Sequence, residues 1–557
     1  MRISAVRSRP TGLVLAVCVA CMLAASAIWV ASAESKPLTR PAPEGRTTNI
    51  QLLGVNDFHG NLEPPRQVDG RTVGGAAYLA SYLNDYEADN PRRTITVHAG
   101  DLVGATPLIS SYFHDEPTIY AANLMGFDVG TLGNHEFDEG GEEMLRLING
   151  GQRDDGKQFK DGPDGTPVNT SDPDFPGANF PYVAANTVYK DSGKTVLPPY
   201  QVIKRDGIKV GFIGVTTLET PRIVVPDAVA PFRFLDISNT VNKYARRLQA
   251  QGVQSIVVLA HAGGVQTSAQ EATGEIIDET SQMSDAVDVV VAGHTHTLLN
   301  NTVDGKLVVE AFSYGTAFDA VNMKVDRKSK DVLSASADIV TTYDDAVAPD
   351  PAVSRLVADY KARISPISER VVGTASEDIT RTQDSDGESE LGDLIADAQR
   401  DFAGADLAFM NPGGIRADIA SGPVTYGDLF TVQPFDNQVV RMELTGDQIY
   451  RLLEQQFEVN RILQVSGLEY SYDASKPAGQ RITSATINGS PLDRGATYTL
   501  AANSYLATGG DGFTVFKEGQ KQQSLGSDAD ALEEYVSNLE QPFGPPTDFG
   551  SRITRQG

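Results

Sequence analysis

The chain is poor in the residues that build disulfide-rich or thiolate-metal proteins. Its 557 residues include only two cysteines, one tryptophan and seven histidines. Two cysteines cannot form a disulfide framework for a chain of this length or a thiolate zinc cage, so stability must come from buried apolar side chains. Any bound metal must therefore use His, Asp, Asn or Glu ligands.

Positive charge is also scarce. Against 73 acidic residues stand 46 basic ones, which gives a net charge of −27. A surface of this charge repels DNA and RNA, which disfavours a nucleic-acid polymer as the partner, although a small anion in a locally positive pocket is compatible with it. The length and the apolar content of 40% predict roughly two to four packed domains.

The first 33 residues have the order of a secretory signal peptide. Three arginines precede an uncharged apolar stretch over residues 11–33, which holds both cysteines and the tryptophan and ends in Ala-Ser-Ala. A basic start, an apolar middle and small residues at the cleavage site are typical of export signals. We therefore expect a secreted or extracytoplasmic protein, free or held at the cell surface, with no stable membrane insertion after cleavage. An uncleaved anchor is the alternative, because the stretch is long enough to span a bilayer.

Apolar runs alternate with amphipathic helical patterns through the first part of the chain. Strands are predicted at residues 50–55, 94–97, 210–215, 255–259 and 287–291, and helices at 75–86 and 237–249. Strands alternating with helices predict a layered α/β domain.

A polar boundary then divides the chain. An acidic segment, a helical pattern at 351–364 and Ser365-Pro366 predict a linker helix between two domains. The predicted organisation is a signal peptide over 1–33, a first domain over 46–345, a linker helix over 346–366 and a smaller α/β domain over 367–557.

Five of the seven histidines follow or end predicted strands of the first domain, each near another residue of metal-ligand type. In chain order the clusters are Asp57-Phe58-His59, Gly100-Asp101, Gly133-Asn134-His135-Glu136-Phe137-Asp138, His261, and Gly293-His294-Thr295-His296. Alternate residues of a strand share a face, so Asp-x-His and His-x-His can direct two ligands to one ion. Imidazoles mixed with carboxylates and an amide suit zinc or manganese, and the supply is enough for two ions. His98 and His114 lack such partners, which indicates structural or surface roles.

This series resembles that of the calcineurin-like metallophosphoesterases, whose fold is a four-layer α/β/β/α sandwich. The resemblance implies two divalent metal ions, zinc, manganese or similar. It assigns one to Asp57, His59, Asp101 and His296, and the other to Asp101, Asn134, His261 and His294, with Asp101 as the bridge.

Two such ions lower the pKa of a bridging water, so that hydroxide is available at neutral pH to attack the phosphorus. His135, next to a ligand, is then placed to stabilise the transition state or to protonate the leaving oxygen. Asp138 can hold the other ring nitrogen of His135, and its alternative role is to cap the start of a helix.

Three glycine-rich or aromatic clusters mark the second domain. They are Asn411-Pro412-Gly413-Gly414-Ile415-Arg416, Gln433-Pro434-Phe435-Asp436-Asn437, and Tyr505-Leu506-Ala507-Thr508-Gly509-Gly510-Asp511-Gly512-Phe513. Glycines let the backbone approach a ligand closely, Arg416 offers a fixed fork for phosphate, and Phe435 with Tyr505 can sandwich a planar ring.

With the first domain, these clusters resemble the secreted bacterial and animal ecto-type 5'-nucleotidases over nearly all of the mature chain. In that family the N-terminal metals hold the scissile phosphate while the C-terminal domain binds the nucleoside. The resemblance implies base stacking by Phe435 and Tyr505, with Asn437 and Gly467 near the base. It implies ribose contact by Asp511, and it places Arg381, Asn411, Gly414 and Arg416 around ribose and phosphate. The family usually has Phe where this chain has Tyr505.

The predicted activity is hydrolysis of nucleoside 5'-monophosphates to nucleoside and phosphate by a metal-bridging hydroxide. Nucleoside di- or triphosphates and nucleotide sugars are further candidate substrates. A 2',3'-cyclic-nucleotide 2'-phosphodiesterase with 3'-nucleotidase activity is an alternative with the same fold. A non-catalytic nucleotide-binding surface protein is an alternative of another class. The sequence leaves the oligomeric state open.

Overall fold

The computed structural model describes residues 46–153, 170–268 and 271–556. The predicted signal peptide, residues 1–33, lies outside the described residues, so its cleavage stays a prediction. Among the described residues, no helix combines the length and the apolar character that a membrane crossing requires.

Two six-stranded sheets form the centre of the first part of the chain. Across the first sheet the strands run in the order Val332–Thr341, Ala317–Asp326, Thr47–Val55, Thr94–His98, Val129–Thr131 and Tyr182–Val183. Across the second the order is Leu298–Val303, Lys306–Ala311, Val289–Ala292, Ser255–His261, Ile208–Thr216 and Tyr200–Arg205. The central strands pair in parallel, so within each sheet their carboxyl ends lie at the same edge.

Apolar side chains between the two sheets build the central core. Leu52 and Val97 of the first sheet belong to one buried cluster with Val257 and Val289 of the second. Continuous apolar runs suit strands that are covered on both faces. Further buried clusters join the outer face of each sheet to helices. This order of helix, sheet, sheet and helix confirms the four-layer sandwich.

Helices cover the sheets and connect their strands. The α-helices of the described residues are Ala76–Asp89, Leu108–Ser111, Glu116–Met125, Gly140–Asn149, Thr220–Ile223, Ile237–Ala250, Glu275–Gln282, Pro351–Ser368, Glu390–Ala403, Tyr426–Val432, Gly446–Val459, Ser504–Ala507 and Asp528–Asn538. Short 3₁₀ turns are His135–Phe137, Pro412–Gly414, Gly510–Gly512 and Thr514–Glu518.

Helix Pro351–Ser368 occupies the predicted linker. Asp350 caps its start, because its carboxylate accepts hydrogen bonds from the first-turn amides. The helix extends past the predicted end at residue 364 and continues through Pro366. Since Pro366 lies in the last turn, it removes one amide hydrogen bond near an end that frays in any case. Tyr360 and Ile364 pack into the helical core of the first part, so the helix is docked rather than free.

The second part is a smaller α/β unit. Its five-stranded sheet has the order Gln464–Ser466, Leu407–Met410, Thr497–Asn503, Gln438–Thr445 and Gln520–Ser527. A four-stranded sheet has the order Ser490–Pro491, Ile482–Ile487, Leu468–Tyr472 and Ile553–Arg555. Four two-stranded ribbons complete the described strands: Arg66–Val68 with Arg71–Val73, Thr187–Tyr189 with Phe232–Phe234, Val265–Gln266 with Ala272–Thr273, and Val371–Ala375 with Gly422–Thr425. The predicted smaller α/β domain is confirmed, while its exact boundaries stay predictions.

Candidate active site

The predicted metal ligands follow the carboxyl ends of parallel strands in both sheets. Asp57 and His59 come after Thr47–Val55, and Asp101 comes after Thr94–His98. The other predicted ligands follow or end later strands: Asn134, His261, His294 and His296. Strand ends of this kind are where open α/β sheets bind ligands.

Most of these residues have a left-handed backbone. The φ angles lie between 47° and 88° at Asp57, His59, Asp101, His294 and His296. Residues other than glycine adopt this conformation at an energetic cost, and such strain concentrates at functional sites. The strained turns aim five ligand side chains at one place.

The side chains meet in two groups around Asp101. Ligand atoms lie within 4.8 Å of one another inside each of these groups: Asp57, His59 and His296; and Asp101, His261 and His294. Asp101 Oδ2 is 3.0 Å from His261 Nε2 and 3.6 Å from His59 Nε2. Asp101 therefore lies between the groups, in the position that a bridging ligand requires.

The remaining predicted ligand joins the second group. Asn134 Oδ1 is 3.1 Å from His261 Nε2. All seven predicted ligands are thus brought together. A third set of ligand atoms at similar separations is His59, Asp101 and His135, so His135 lies at the same centre although the sequence predicts a catalytic role for it.

Backbone carbonyls orient two of the imidazoles. His59 Nδ1 is 2.7 Å from Gly104 O, and His261 Nδ1 is 2.9 Å from Ala99 O. A carbonyl can only accept, so each Nδ1 carries a hydrogen and each Nε2 is the nitrogen that faces the centre.

Burial and charge suit these groups to divalent cations. Burial holds the pKa of His59 well below its ordinary value and lowers the pKa of His294 to about 3. Burial alone would raise the pKa of Asp57, but His296 and His261 hold it below its ordinary range. Burial also opposes protonation of His261, yet Asp101 raises the pKa of that imidazole to about 10. The centre therefore favours a positive charge, and a metal ion would displace the proton.

Glu136 supports the ligand loops in a way that sequence reasoning missed. Its buried carboxylate accepts hydrogen bonds from the amides of Asp101 (3.0 Å), Leu102 (2.9 Å) and Gly133. Gly133 leaves room for the Asp101 carboxylate, because a Cβ there would lie 2.0 Å from Asp101 Oδ1. Glu136 is the last residue of the motif Gly-Asn-His-Glu, for which the sequence predicted a ligand and a catalytic residue but no supporting carboxylate.

His135 is paired with Asp138. The Nδ1 atom of His135 is 2.7 Å from Asp138 Oδ2, and its amide donates to Asp101 Oδ1 at 2.9 Å. Burial would lower the pKa of His135, but Asp138 and Asp101 hold it above its ordinary value. No helix amide is capped by Asp138 among the described residues, which favours the pairing role over the capping role.

A cavity of about 480 Å³ opens beside this centre, within the range of small-molecule sites. From the first part of the chain its lining includes Asp101, Asn134, His135, Asp138, His294 and His296. From the second part it includes Arg381, Asn411, Gly414, Arg416, Phe435, Asn437, Tyr505 and Asp511. Asp57, His59 and His261 are fully buried behind this wall. The cavity therefore joins the predicted metal centre to eight of the nine predicted substrate residues.

Gly467 is the substrate residue that the structure does not bring to the cavity. It lies between strands Gln464–Ser466 and Leu468–Tyr472 with a φ of +68°. A Cβ there would lie 2.3 Å from the carbonyl oxygen of Asp406. The glycine is required by a tight turn, which accounts for its presence without a ligand.

The cationic and aromatic residues of the second part face the centre. The Phe435 ring stacks on His135, with ring centroids 5.7 Å apart, and the Arg416 guanidinium carbon is 5.9 Å from the Phe435 centroid. The Nε atom of Arg416 is buried without a hydrogen-bond partner in the described structure. Arg381 is held by a hydrogen bond of 3.0 Å from Nη1 to Ile415 O. Both guanidinium groups predicted from the sequence thus line the cavity, and that of Arg416 has an unused donor.

Other cavity residues were not foreseen. The segment that contributes Glu219, Ile223, Val224 and Val225 lines the cavity from the first part of the chain, as does Arg461 from the second. Such residues carry no motif, because only the fold brings them to the cavity. His114 is also part of the wall, whereas His98 is fully buried among the rings of Phe127, Phe180 and Tyr182.

Comparison with known proteins defines the class. The family model for calcineurin-like phosphoesterases matches residues 50–298, and that for the 5'-nucleotidase C-terminal domain matches residues 371–518. The cell wall protein Lmo0130 of Listeria monocytogenes is 35% identical over 537 residues, covering 88% of this chain and 67% of that protein. The chain belongs to the calcineurin-like phosphoesterases that carry a 5'-nucleotidase C-terminal domain.

Two further relatives bear on activity. The endonuclease YhcR of Bacillus subtilis is 35% identical over 513 residues, which cover 89% of this chain but only 40% of YhcR. The crystal structure of a 5'-nucleotidase precursor from Thermus thermophilus matches with a TM-score of 0.75 and 29% identity, covering 91% of this chain and 99% of that chain. The family resemblance predicted from the sequence is thereby confirmed.

Proposed function

We propose that the protein hydrolyses nucleoside 5'-monophosphates to nucleoside and phosphate. Nucleoside di- and triphosphates or nucleotide sugars are further candidate substrates. One observation carries the proposal: a single cavity joins the cluster of His and Asp side chains to Phe435, Tyr505 and Asp511. A metal centre binds phosphate and aromatic rings bind a planar base, so the two ends of the cavity match the two ends of a nucleotide.

The phosphate end consists of the ligand cluster, His135 and the guanidinium groups. These groups would hold two divalent ions, zinc, manganese or similar, which would supply an acidified water for attack on phosphorus and would neutralise phosphoryl oxygens. Their proposed ligands are Asp57, His59, Asp101, Asn134, His261, His294 and His296. His135, oriented by Asp138 at 2.7 Å, donates its proton to the leaving oxygen. The unused Nε donor of Arg416 binds a phosphoryl oxygen.

The nucleoside end is lined by the second part of the chain. Phe435 and Tyr505 offer ring faces for the base, with Asn437 at the same end. The Oδ2 atom of Asp511 is buried and accepts no well-aligned hydrogen bond in the described structure. It can therefore accept hydrogen bonds from ribose hydroxyls. Arg381, Asn411 and Gly414 complete the wall around ribose and phosphate.

A substrate panel tests this proposal. The purified protein is incubated with AMP, 3'-AMP and 2',3'-cyclic AMP in the presence of manganese or zinc, and phosphate release and metal content are measured on the same sample. We expect phosphate from AMP at a rate well above that from 3'-AMP. Release from the cyclic and 3' compounds alone would instead support the alternative phosphodiesterase, and binding of AMP without turnover would support the non-catalytic alternative.

Nucleic acid belongs in the same panel because one relative is named an endonuclease. The net charge of −27 opposes binding of a long polyanion. We therefore expect no nicking of supercoiled plasmid under conditions in which AMP is hydrolysed. Nicking at a comparable rate would overturn the assignment to small nucleotides.

We also propose that the protein acts outside the cytoplasm. The basic and apolar order of residues 1–33 supports export. Relatives named as a cell wall protein and a snake venom 5'-nucleotidase support the same location. N-terminal sequencing of the exported protein is expected to begin at Glu34, and a retained Met1 would contradict cleavage.

A further inference from the structure

The hydroxyl group of Tyr505 makes contacts that a phenylalanine ring could not make. It accepts a hydrogen bond from the amide of Asp511 at 2.8 Å. It also lies 2.9 Å from Asp511 Oδ1 and 3.1 Å from the backbone oxygen of Arg222. The hydroxyl carries one hydrogen and has two acceptors within reach, so a donated bond to one leaves the other weakened.

The loop that contains Asp511 packs against Tyr505. Asp511 has a φ of 54°, in the left-handed region that disfavours side chains. Gly510 covers one face of the ring, because a Cβ on it would lie 2.5 Å from three ring carbons of Tyr505. Tyr505 also lines the cavity. The hydroxyl bonds therefore hold a strained carboxylate in place beside the ring.

The carboxylate has spare binding capacity. Asp511 Oδ1 faces the Tyr505 hydroxyl, while its Oδ2 is buried and accepts no well-aligned hydrogen bond in the described structure, with the Asn411 side chain as its polar neighbour. Asp511 lines the cavity, as does Asn411. A carboxylate with one oxygen fixed and the other open can accept hydrogen bonds from a vicinal diol.

The third contact crosses between the two parts of the chain. Arg222 belongs to helix Thr220–Ile223 of the first part, and Tyr505 to helix Ser504–Ala507 of the second. The Arg222 carbonyl accepts from the Tyr505 hydroxyl. The same hydrogen can therefore serve the ribose-facing carboxylate or the contact between the parts.

We propose that the Tyr505 hydroxyl is a positioning group for ribose recognition. Its contacts with the Asp511 amide and Oδ1 hold the carboxylate beside the ring, so that Oδ2 can accept hydrogen bonds from the ribose hydroxyls. This inference rests on the proposed function, because it assumes that the sugar of a nucleotide lies at Asp511.

The test removes only the hydroxyl. Tyr505→Phe keeps the ring, and the matched control Tyr498→Phe removes another hydroxyl of the same part, one that accepts from the Asp493 amide at 3.1 Å. KM and kcat are measured with AMP, 2'-deoxy-AMP and 3'-deoxy-AMP. We expect Tyr505→Phe to raise KM for AMP about tenfold, as the loss of a bond to a charged group does, and to reduce the preference for AMP over the deoxy compounds. Tyr498→Phe is expected to match the unmodified protein.

A second variant checks that the two residues act as a unit. Asp511→Asn should reduce the same preference, and Tyr505→Phe added to it should cost little more, because the hydroxyl acts through the carboxylate. Fully additive losses, or a Tyr505→Phe protein with unchanged KM and preference, would overturn the proposal.

Direct binding separates this inference from the proposed function. Calorimetric titration with adenosine and 2'-deoxyadenosine needs no turnover. A protein that binds adenosine more tightly than 2'-deoxyadenosine, with the difference lost in Tyr505→Phe, supports the inference even when AMP is not hydrolysed. Hydrolysis of AMP with equal affinity for the two nucleosides refutes the inference and leaves the proposed function standing.

Discussion

The ring of Phe435 lies nearly parallel to the imidazole of His135, with the planes inclined by 24° and the centroids 5.7 Å apart. The two residues come from different parts of the chain, one from the loop after helix Tyr426–Val432 and the other from the turn His135–Phe137. The aromatic residue proposed for the base thus contacts the residue proposed to donate the proton. A substitution at either residue should therefore alter both the binding of the base and the proton transfer to the leaving oxygen.

Replacement of Phe435 by Ala is predicted to affect both binding and turnover. Loss of base stacking, worth about 1–3 kcal/mol, should raise KM for AMP roughly tenfold or more. Because His135 loses its neighbour, kcat for a small aryl phosphate should also fall a few-fold. Steady-state kinetics with both substrates check this. Phe457→Ala is the control, since Phe457 packs against Tyr472 with centroids 5.1 Å apart and away from the cavity.

Replacement of His135 by Ala should slow turnover without releasing metal. We expect kcat for AMP to fall roughly 10²- to 10⁴-fold, the usual contribution of a proton-transfer group. The loss should be smaller for p-nitrophenyl phosphate, because its leaving oxygen needs no proton. Metal content measured on the same protein should be unchanged. An equal loss for both substrates would assign His135 to charge stabilisation instead.

The pairing of His135 with Asp138 predicts a pH dependence. Against the effect of burial, Asp138 and Asp101 hold the pKa of His135 above its ordinary value. The acid form is present below that pKa and is lost as pH rises through it. Asp138→Asn removes the largest raising interaction, so the alkaline limb of the kcat profile should move about one pH unit or more toward lower pH. An unmoved limb would show that His135 is not the titrating acid.

Asp101 and His296 should differ in how much metal their replacement releases. Asp101 lies between His59 at 3.6 Å and His261 at 3.0 Å, whereas among the ligand groups of the described residues His296 belongs to that of Asp57 and His59. Asp101→Asn should therefore weaken both proposed metal positions, and His296→Ala only one. Metal content after dialysis checks this, with His135→Ala as the control. Equal losses in the two variants would contradict a bridging role for Asp101.

A buried carboxyl in the second part predicts that the free energy of unfolding falls as pH rises. Burial raises the pKa of Asp393 to about 9, with Glu388 adding to the rise and Arg552 opposing it. An unfolded Asp has a pKa of about 4. Between these values the unfolded chain releases a proton that the folded chain retains, so the free energy of unfolding falls by up to about 1.4 kcal/mol per pH unit.

Asp393→Asn removes that dependence because an amide does not ionise. Thermal unfolding at several pH values from about 5 to about 8 checks this, and the variant should lose less stability than the unmodified protein as pH rises. The exposed Asp401, changed to Asn, is the control. Parallel pH profiles for the two variants would contradict the assignment.

The metal centre could be predicted from sequence because its chemistry is carried in short motifs at strand ends. Asp57 and His59, or His294 and His296, are neighbours in sequence, and parallel strands bring such motifs to one edge. The contact of Tyr505 with Arg222 could not be predicted. It joins the Tyr505 hydroxyl to the Arg222 backbone carbonyl, and the two residues are 283 positions apart in the sequence. Gly467 resembled a binding glycine in sequence, but its φ and its close approach to Asp406 require a glycine for the turn alone.

The left-handed backbone at five predicted ligands places two demands on the same positions. Glycine fits such a φ without cost, yet glycine has no side chain and can hold no ion. The five positions supply ligand side chains although their left-handed backbone favours glycine: Asp57, His59, Asp101, His294 and His296. Glycine at any of these positions would relieve the backbone strain and would remove a ligand atom from the centre. The left-handed backbone is therefore kept at these positions for the ligand side chains, and not for the fold.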